Sequence, residues 1–268
     1  IVRNEVENCP LKVGDSILKI ENQQINTFED FNFVISSLSK DKDISVLIRR
    51  DNSVFCLKCD KNTLEKINFN NLISGFATLT YIDPSTKEFG AVAHSINIGS
   101  NKKIPIKRGC IFCTNNLNIK KSHKGNVGCI NATKDKVIGE FYNNTTFGIK
   151  GEVNNINLND YKKYKVASIN EVKLGKAQII LQDKNNICKK YDIQIINIEN
   201  QRQPDSKGIK FKITDSKLLK ETGGIVQGMS GTPIVQGDKI VGAVSHALEN
   251  NPHVGYGVHI KWMLEQQK

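Results

Sequence analysis

Between Pro10 and Asp60 the apolar positions first alternate, then recur at helical spacing, then alternate again. Ser16-Ile17-Leu18-Lys19-Ile20, behind the Gly14-Asp15 turn, predicts a strand. Phe28, Phe31, Val34, Ile35 and Leu38 fall on one helical face, and Thr27-x-x-Asp30 ahead of them is a capping-box-like start. Ile44–Arg50 reads as a strand again, with Ser53–Lys58 pairing back to it through Asp51-Asn52. The stretch 60–71 is polar and aperiodic and reads as a linker. Beyond it, Phe76–Ile82, Phe89–Ala93, Val137–Phe141, Phe147–Val153, Lys176–Leu181, Tyr191–Ile198 and Ile209–Ile213 all read as β. Turn signals recur about every 8–15 residues, and helical spacing is scarce until Trp262-Met263-Leu264. The pattern predicts a mostly β chain: a small α+β domain over residues 1–62, then an all-β barrel or sandwich domain over 72–268.

Composition narrows the partners. No apolar run approaches the ~20 residues of a membrane-spanning helix. The chain opens without Met or a secretory signal, so a processed form with a membrane anchor upstream is expected. Lys plus Arg outnumber Asp plus Glu, 38 to 27, for a formal charge of +11. That excess raises a nucleic-acid partner. The charge is spread along the chain, however, and its densest stretch, Lys120, Lys121 and Lys124, has no interleaved aromatics for bases to stack on. A solvated lysine-rich surface and no nucleic acid are expected. Cys9, Cys56, Cys59, Cys110, Cys113, Cys129 and Cys188 are odd in number, which excludes a fully paired disulfide scaffold. Cys56-x-x-Cys59 and Cys110-x-x-Cys113 have zinc-knuckle spacing. Yet Cys56 lies in a strand-like run, where residues i and i+3 face opposite ways. Thiols without a metal are expected, and no cofactor.

The chemistry concentrates in Gly223-Gly224-Ile225-Val226-Gln227-Gly228-Met229-Ser230-Gly231-Thr232-Pro233. Glycines on both sides of a serine allow backbone angles that other residues avoid. Such a turn can aim the N–H groups of Gly228 and Ser230 at one point, forming an oxyanion hole around a nucleophile. Downstream come the strand Lys239–His246, then Gly255-Tyr256-Gly257-Val258, then the closing helix. That order resembles the second barrel of chymotrypsin-like serine peptidases. The resemblance implies a Val244-Ser245 edge that pairs with substrate and a pocket strand bearing Gly255. A serine nucleophile needs a base. Of five histidines, His94 ends an apolar strand in the first half and ranks first, and His246 ranks second. Asp215 is a candidate for the acid that orients the imidazole, though Asp at that position also suits a helix N-cap for Ser216–Leu219. Asp135 and Asp160 are rivals.

Two family resemblances cover the chain. The Lys12-Val13-Gly14-Asp15-x-Ile17-Leu18-Lys19-Ile20-x-x-Gln23-x-Ile25 stretch, with the capped helix and hairpin after it, resembles a PDZ domain. Such domains bind extended peptides by strand addition; the carboxylate-binding loop and first strand would precede Ile1. From about Pro10 to Leu264 the chain resembles the stage IV sporulation protein B peptidase family, a PDZ domain followed by a chymotrypsin-related double β-barrel with a short C-terminal helix. The likeness is densest at Val166–Ala177, Lys212–Pro233 and Gly242–Leu264. The resemblance implies a triad of His94, Asp215 and Ser230. The family usually has Gly-His where this chain has Ala93-His94, and an acid so close before the serine departs from the ordinary chymotrypsin order. It also implies a serine endopeptidase of endospore formation, exported from the forespore into the intermembrane space. There it would cleave itself and a membrane-bound regulator of an intramembrane protease, so activating sigma-factor processing. The competing reading is an inactive PDZ/peptidase-fold adaptor that binds peptides or partner proteins.

Overall fold

The computed structural model describes residues 2, 4–7, 9–39, 43–50, 53–68, 74–98, 102–103, 108–183, 185 and 187–265. The chain divides into two compact units, residues 1–74 with 97–104, and residues 75–96 with 105–268.

The first unit is a four-stranded sheet with two helices. Its elements are β1 (Ser16–Ile20), β2 (Gln23–Gln24), α1 (Phe28–Ser37), β3 (Ile44–Arg50), β4 (Ser53–Cys59) and α2 (Lys61–Glu65). The sheet order is β2-β1-β3-β4, all antiparallel. The capping box forms: Thr27 Oγ1 accepts from the Asp30 N–H at 3.0 Å, and the Asp30 carboxylate accepts from the Thr27 N–H at 2.9 Å. It starts a helix that buries Phe31, Val34 and Ile35 against the sheet's Ile20, Ile44, Val46 and Ile48. In β4, Cys56 is exposed and Cys59 buried, on opposite faces of one strand. The hairpin residues 51–52 and the linker residues 69–71 lie outside the described residues. The linker expectation fails for 60–67. Asp60 caps α2, accepting from the Thr63 N–H at 2.9 Å, and Leu64 and Ile67 are buried in the first unit's core. Two apolar residues in a polar stretch are enough to fold it back. Asn97–Ile98 (β7) pairs with Lys102–Lys103 (β8), and this segment groups with the first unit although it lies beyond the expected boundary.

The second unit is mostly β. An open five-stranded sheet runs β5-β6-β11-β10-β9, from Leu79–Ile82 (β5), Glu88–Val92 (β6), Gly109–Lys120 (β9), Cys129–Thr145 (β10) and Gly148–Val153 (β11). A larger sheet holds Lys165–Val166 (β12), Gly175–Gln182 (β13), Cys188–Ile198 (β14), Ile209–Ile213 (β15), Pro233–Gln236 (β16), Lys239–Ala247 (β17) and Val254–His259 (β18). Its order is β12-β17-β16-β13-β14-β15-β18, and β18 pairs back to β17, closing a six-stranded barrel. Helices α3 (Ser216–Thr222) and α4 (Ile260–Glu265) complete the unit. The expected pair of barrels is thus one closed barrel and one half-barrel. Inside the closed one, Ile179, Ile193, Ile195, Ile209, Phe211, Ile213 and Ile234 alternate inward from neighbouring strands. The β9–β10 hairpin pairs the two longest described strands, and their Asn- and Lys-rich residues are mostly exposed or half-buried. Ile130, Leu117 and Ile119 meet the core, but three register shifts along the pair interrupt the alternation.

His259, at the end of β18, is 1% exposed, and neither ring nitrogen makes a hydrogen bond of good geometry, although main-chain groups of Glu199 and Gly208 lie against the ring. Burial pushes its pKa below the ordinary histidine value and outweighs those two main-chain groups, which favour the charged form. The fold therefore holds the ring neutral, whereas an unfolded chain protonates it below about pH 6.5. Stability contributed by this residue is present above that pH and is lost as the pH falls toward the lowered folded-state pKa. The unfolding midpoint is expected to drop between about pH 7 and pH 5, and His259→Gln should flatten that dependence. A calorimetric midpoint that is flat across this range for the wild-type protein contradicts the assignment.

Candidate active site

Ser230 sits in the turn between α3 and β16. The chain leaves α3 through Gly223 in a left-handed conformation and runs buried through Ile225 and Val226. It then makes a sharp turn with Gly228 at φ +103° and Gly231 at φ +92°. At Gly231 any side chain would stand 2.2 Å from the Thr78 carbonyl oxygen, so the turn can lie this close to the half-barrel only with glycine there. The Gln227 carbonyl accepts from the Ile130 N–H at 2.9 Å. In a trans peptide the following N–H points the opposite way, so the Gly228 N–H is directed away from β10. Among the described residues neither the Gly228 N–H nor the Ser230 N–H donates to a protein acceptor. The two donors expected of an oxyanion hole are unpaired.

His94 comes from the half-barrel. Strand β6 ends at Val92, and Val92 and Ala93 take positive φ, +79° and +62°. A β-branched residue in that region is a genuine outlier. Two such residues in succession reverse the chain and place His94 over the serine. Its Nε2 lies 3.0 Å from Ser230 Oγ, and its Nδ1 lies 2.9 Å from the Ser95 carbonyl oxygen. A carbonyl only accepts, so Nδ1 carries the proton. Nε2 is then an acceptor aimed at the serine hydroxyl. Asn144 brackets the next residue, accepting from the Ile96 N–H and donating to its carbonyl, both at 2.9 Å.

Asp215 is not brought to this pair. It is the N-cap of α3: its carboxylate accepts from the Leu218 N–H at 2.9 Å and lies 3.4 Å from the Asp192 N–H. The cap role wins because α3 begins at the next residue and needs an acceptor for its free N–H groups. Asp135 and Asp160 are exposed and do not bond the imidazole. Among the described residues no carboxylate bonds His94, and the third position beside the imidazole belongs to a main-chain carbonyl.

His246, the second candidate base, lies on β17 with its ring centroid 5.9 Å from that of His94. Its Nδ1 is buried without a partner. Burial pushes its pKa down, the neighbouring His94 and Lys207 add to this, and Asp205 opposes it. It has no hydrogen bond to Ser230. Beside the serine is a cleft walled by Val127, Ile225, Val226, Gln227, Val244, Ser245, His246 and Ala247, with the exposed Glu249 at its rim. The Ser245 carbonyl is 3.4 Å from Ser230 Oγ, and its hydroxyl donates to the Ser206 carbonyl at 2.6 Å. Gly255 is placed one layer deeper than expected. A side chain there would strike Ile225 Cδ1 at 2.2 Å, so Ile225 covers it and forms the cleft wall instead. Val127 and Glu249 reach the cleft from loops that carry no local motif. Among the described residues no group of three or more His, Cys, Asp or Glu side chains could hold a metal.

A half-barrel and a closed barrel that place a histidine from one against a serine turn of the other make up a chymotrypsin-like serine peptidase. The chain belongs to the family described as SpoIVB peptidase S55, whose model matches residues 67–264. It is therefore a sporulation-family serine peptidase, a hydrolase acting on peptide bonds, with proteins as substrates. No curated protein matches the chain.

The placement of Asp215 separates two roles experimentally. Asn caps a helix as well as Asp, so Asp215→Asn is expected to keep both fold and activity within a few-fold. Asp215→Ala should lose about 1 kcal/mol of stability. An acid that orients the base behaves differently, because replacing it by Asn costs about 10⁴ in kcat. A loss of that size in Asp215→Asn, with an unchanged melting temperature, would show that the carboxylate acts on His94.

Proposed function

We propose that Ser230 is the nucleophile, His94 the general base, and the Gly228 and Ser230 N–H groups the oxyanion hole of an endopeptidase. The observation that carries this reading is the paired contact of His94, Nε2 on Ser230 Oγ and Nδ1 on the Ser95 carbonyl. Nε2 takes the hydroxyl proton as Oγ attacks the scissile carbonyl carbon. The oxygen of the resulting tetrahedral intermediate bears the charge and receives the two main-chain N–H donors. The imidazolium then protonates the leaving amine, and the C–N bond breaks. Water, deprotonated by the same Nε2, releases the acyl group and restores the serine. The Ser95 carbonyl orients the ring throughout, the role an aspartate has in other members of this mechanistic class.

The substrates we assign are the chain itself and a membrane-bound regulator of an intramembrane protease, cleaved during endospore formation to activate sigma-factor processing. The site of action is extracytoplasmic, in the space between forespore and mother cell. Membership of a sporulation peptidase family supports this reading. The first unit, a capped helix on a four-stranded sheet, is assigned as a PDZ-like peptide-binding module.

Labelling with a fluorophosphonate probe tests the chemistry. Wild-type protein should react at Ser230, and Ser230→Ala should neither label nor cleave. His94→Ala should lose kcat as completely as Ser230→Ala, with the double variant no worse, since members of such a unit are non-additive. His246→Ala should retain turnover and change substrate binding. A dead His246→Ala beside an active His94→Ala reverses the choice of base, and a wild-type protein that does not label is an adaptor.

The cleft walls set an expectation for specificity. Ile225, Val226 and Val244 are apolar, and the stretch 223–229 holds no carboxylate. A neutral residue is expected on the acyl side of the scissile bond. A cleavage map of a peptide library dominated by Lys or Arg there, steered by Glu249 at the rim, contradicts it.

A further inference from the structure

Thr78 immediately precedes β5 in the half-barrel, yet most of its hydrogen bonds go to the nucleophile turn. Its N–H donates to the Ser230 carbonyl at 2.9 Å. Its hydroxyl donates to the Gly228 carbonyl at 3.1 Å, while Oγ1 accepts from the Thr232 hydroxyl at 3.2 Å. Its own carbonyl accepts from the Val92 N–H at 3.2 Å, two residues before His94. One half-buried residue is thus bonded to the carbonyls of the two residues that carry the oxyanion donors and to the strand end that carries the imidazole. The neighbouring Thr80 adds a bond from its hydroxyl to the Gly231 carbonyl at 2.7 Å.

The turn needs such a restraint. Gly228 has φ +103° and no side chain, so its own conformational preference holds it weakly. Both N–H donors lie on peptide planes that swing with the backbone torsions of residues 227–230. Binding the Gly228 and Ser230 carbonyls from outside fixes the torsions on the C-terminal side of each donor residue. We infer that Thr78 is a positioning residue: its hydroxyl, bonded to the Gly228 carbonyl, locks the oxyanion turn in its reactive orientation, while its main chain, between Ser230 and Val92, sets the register of the turn against His94. This rests on Ser230 being the nucleophile.

Thr78→Val keeps the shape and removes the hydroxyl, and Thr78→Ser keeps the hydroxyl. Fluorophosphonate labelling is followed as a function of probe concentration, well below every variant's melting temperature. This separates probe affinity, KI, from the phosphonylation step, kinact. Loss of a whole oxyanion donor costs ~10²–10³ in rate, so a donor left in place but loosened is expected to cost about 10–100-fold. Thr78→Val should lose that factor in kinact with KI unchanged, and Thr78→Ser should stay within about 3-fold of wild type. Should Thr78→Val fail to fold, Thr78→Ala carries the same test. A kinact within 3-fold of wild type in the hydroxyl-free variant overturns the inference, as does an equal loss in Thr78→Ser. Labelling that persists in Ser230→Ala overturns the nucleophile assignment instead.

Discussion

Because a carbonyl oxygen can only accept, the 2.9 Å contact between His94 Nδ1 and the Ser95 carbonyl puts a proton on that nitrogen and takes it from the other. The roles proposed for His94 and Ser230 depend on that choice. With the opposite tautomer, Nε2–H would face the serine hydroxyl and could not take its proton. The same contact fixes the ring plane, so the 3.0 Å approach to Ser230 is held from behind by the next residue in the chain. That carbonyl is in turn presented by a loop that Asn144 grips on both main-chain atoms of Ile96.

The loop is reached at a cost. Val92 and Ala93 both sit at positive φ, a region costing of order 1–3 kcal/mol per non-glycine residue. The surroundings hold them there. Ala93 is completely buried in a cluster with Phe147, Val235, Ala243 and Val258, and Val92 packs with Phe89 and Ile149. The close approach of Gly148, where a side chain would stand 2.0 Å from the Ala91 carbonyl, presses the strand from one side. Gly231 presses from the other, where a side chain would stand 2.6 Å from the Val92 N–H nitrogen.

What the sequence made legible tracks how much of the cause is local. The capped helix α1, the buried strands of the closed barrel and the glycine turn around Ser230 each carry their own periodic or conformational signal, and each is found where expected. His94 lies just past the end of β6, and that strand end is visible in the residues themselves. The β9–β10 hairpin was largely hidden because its register shifts interrupt the alternation of the positions it buries. Asp215 had two legitimate readings, helix cap and orienting acid, and the competition between them is decided by tertiary placement. Thr78, Val127 and Glu249 had no signal at all: each reaches the site through contacts with residues far away in the sequence.

An aspartate beside the imidazole does two things: it orients the ring and it neutralises the imidazolium that forms as the proton is taken. The Ser95 carbonyl does the first fully and the second only as a dipole. The stabilisation of charge in the transition state therefore falls more heavily on the other partner, the oxyanion. Its donors are main-chain N–H groups on a glycine turn, which have no side-chain packing of their own to hold them. That shifts the demand for rigidity onto the bonds between the half-barrel and the turn, at Thr78 and Thr80. In the mechanism proposed for this peptidase, the quality of the base and the quality of the oxyanion hole are set by one interface, where β5 and the end of β6 meet the turn before β16.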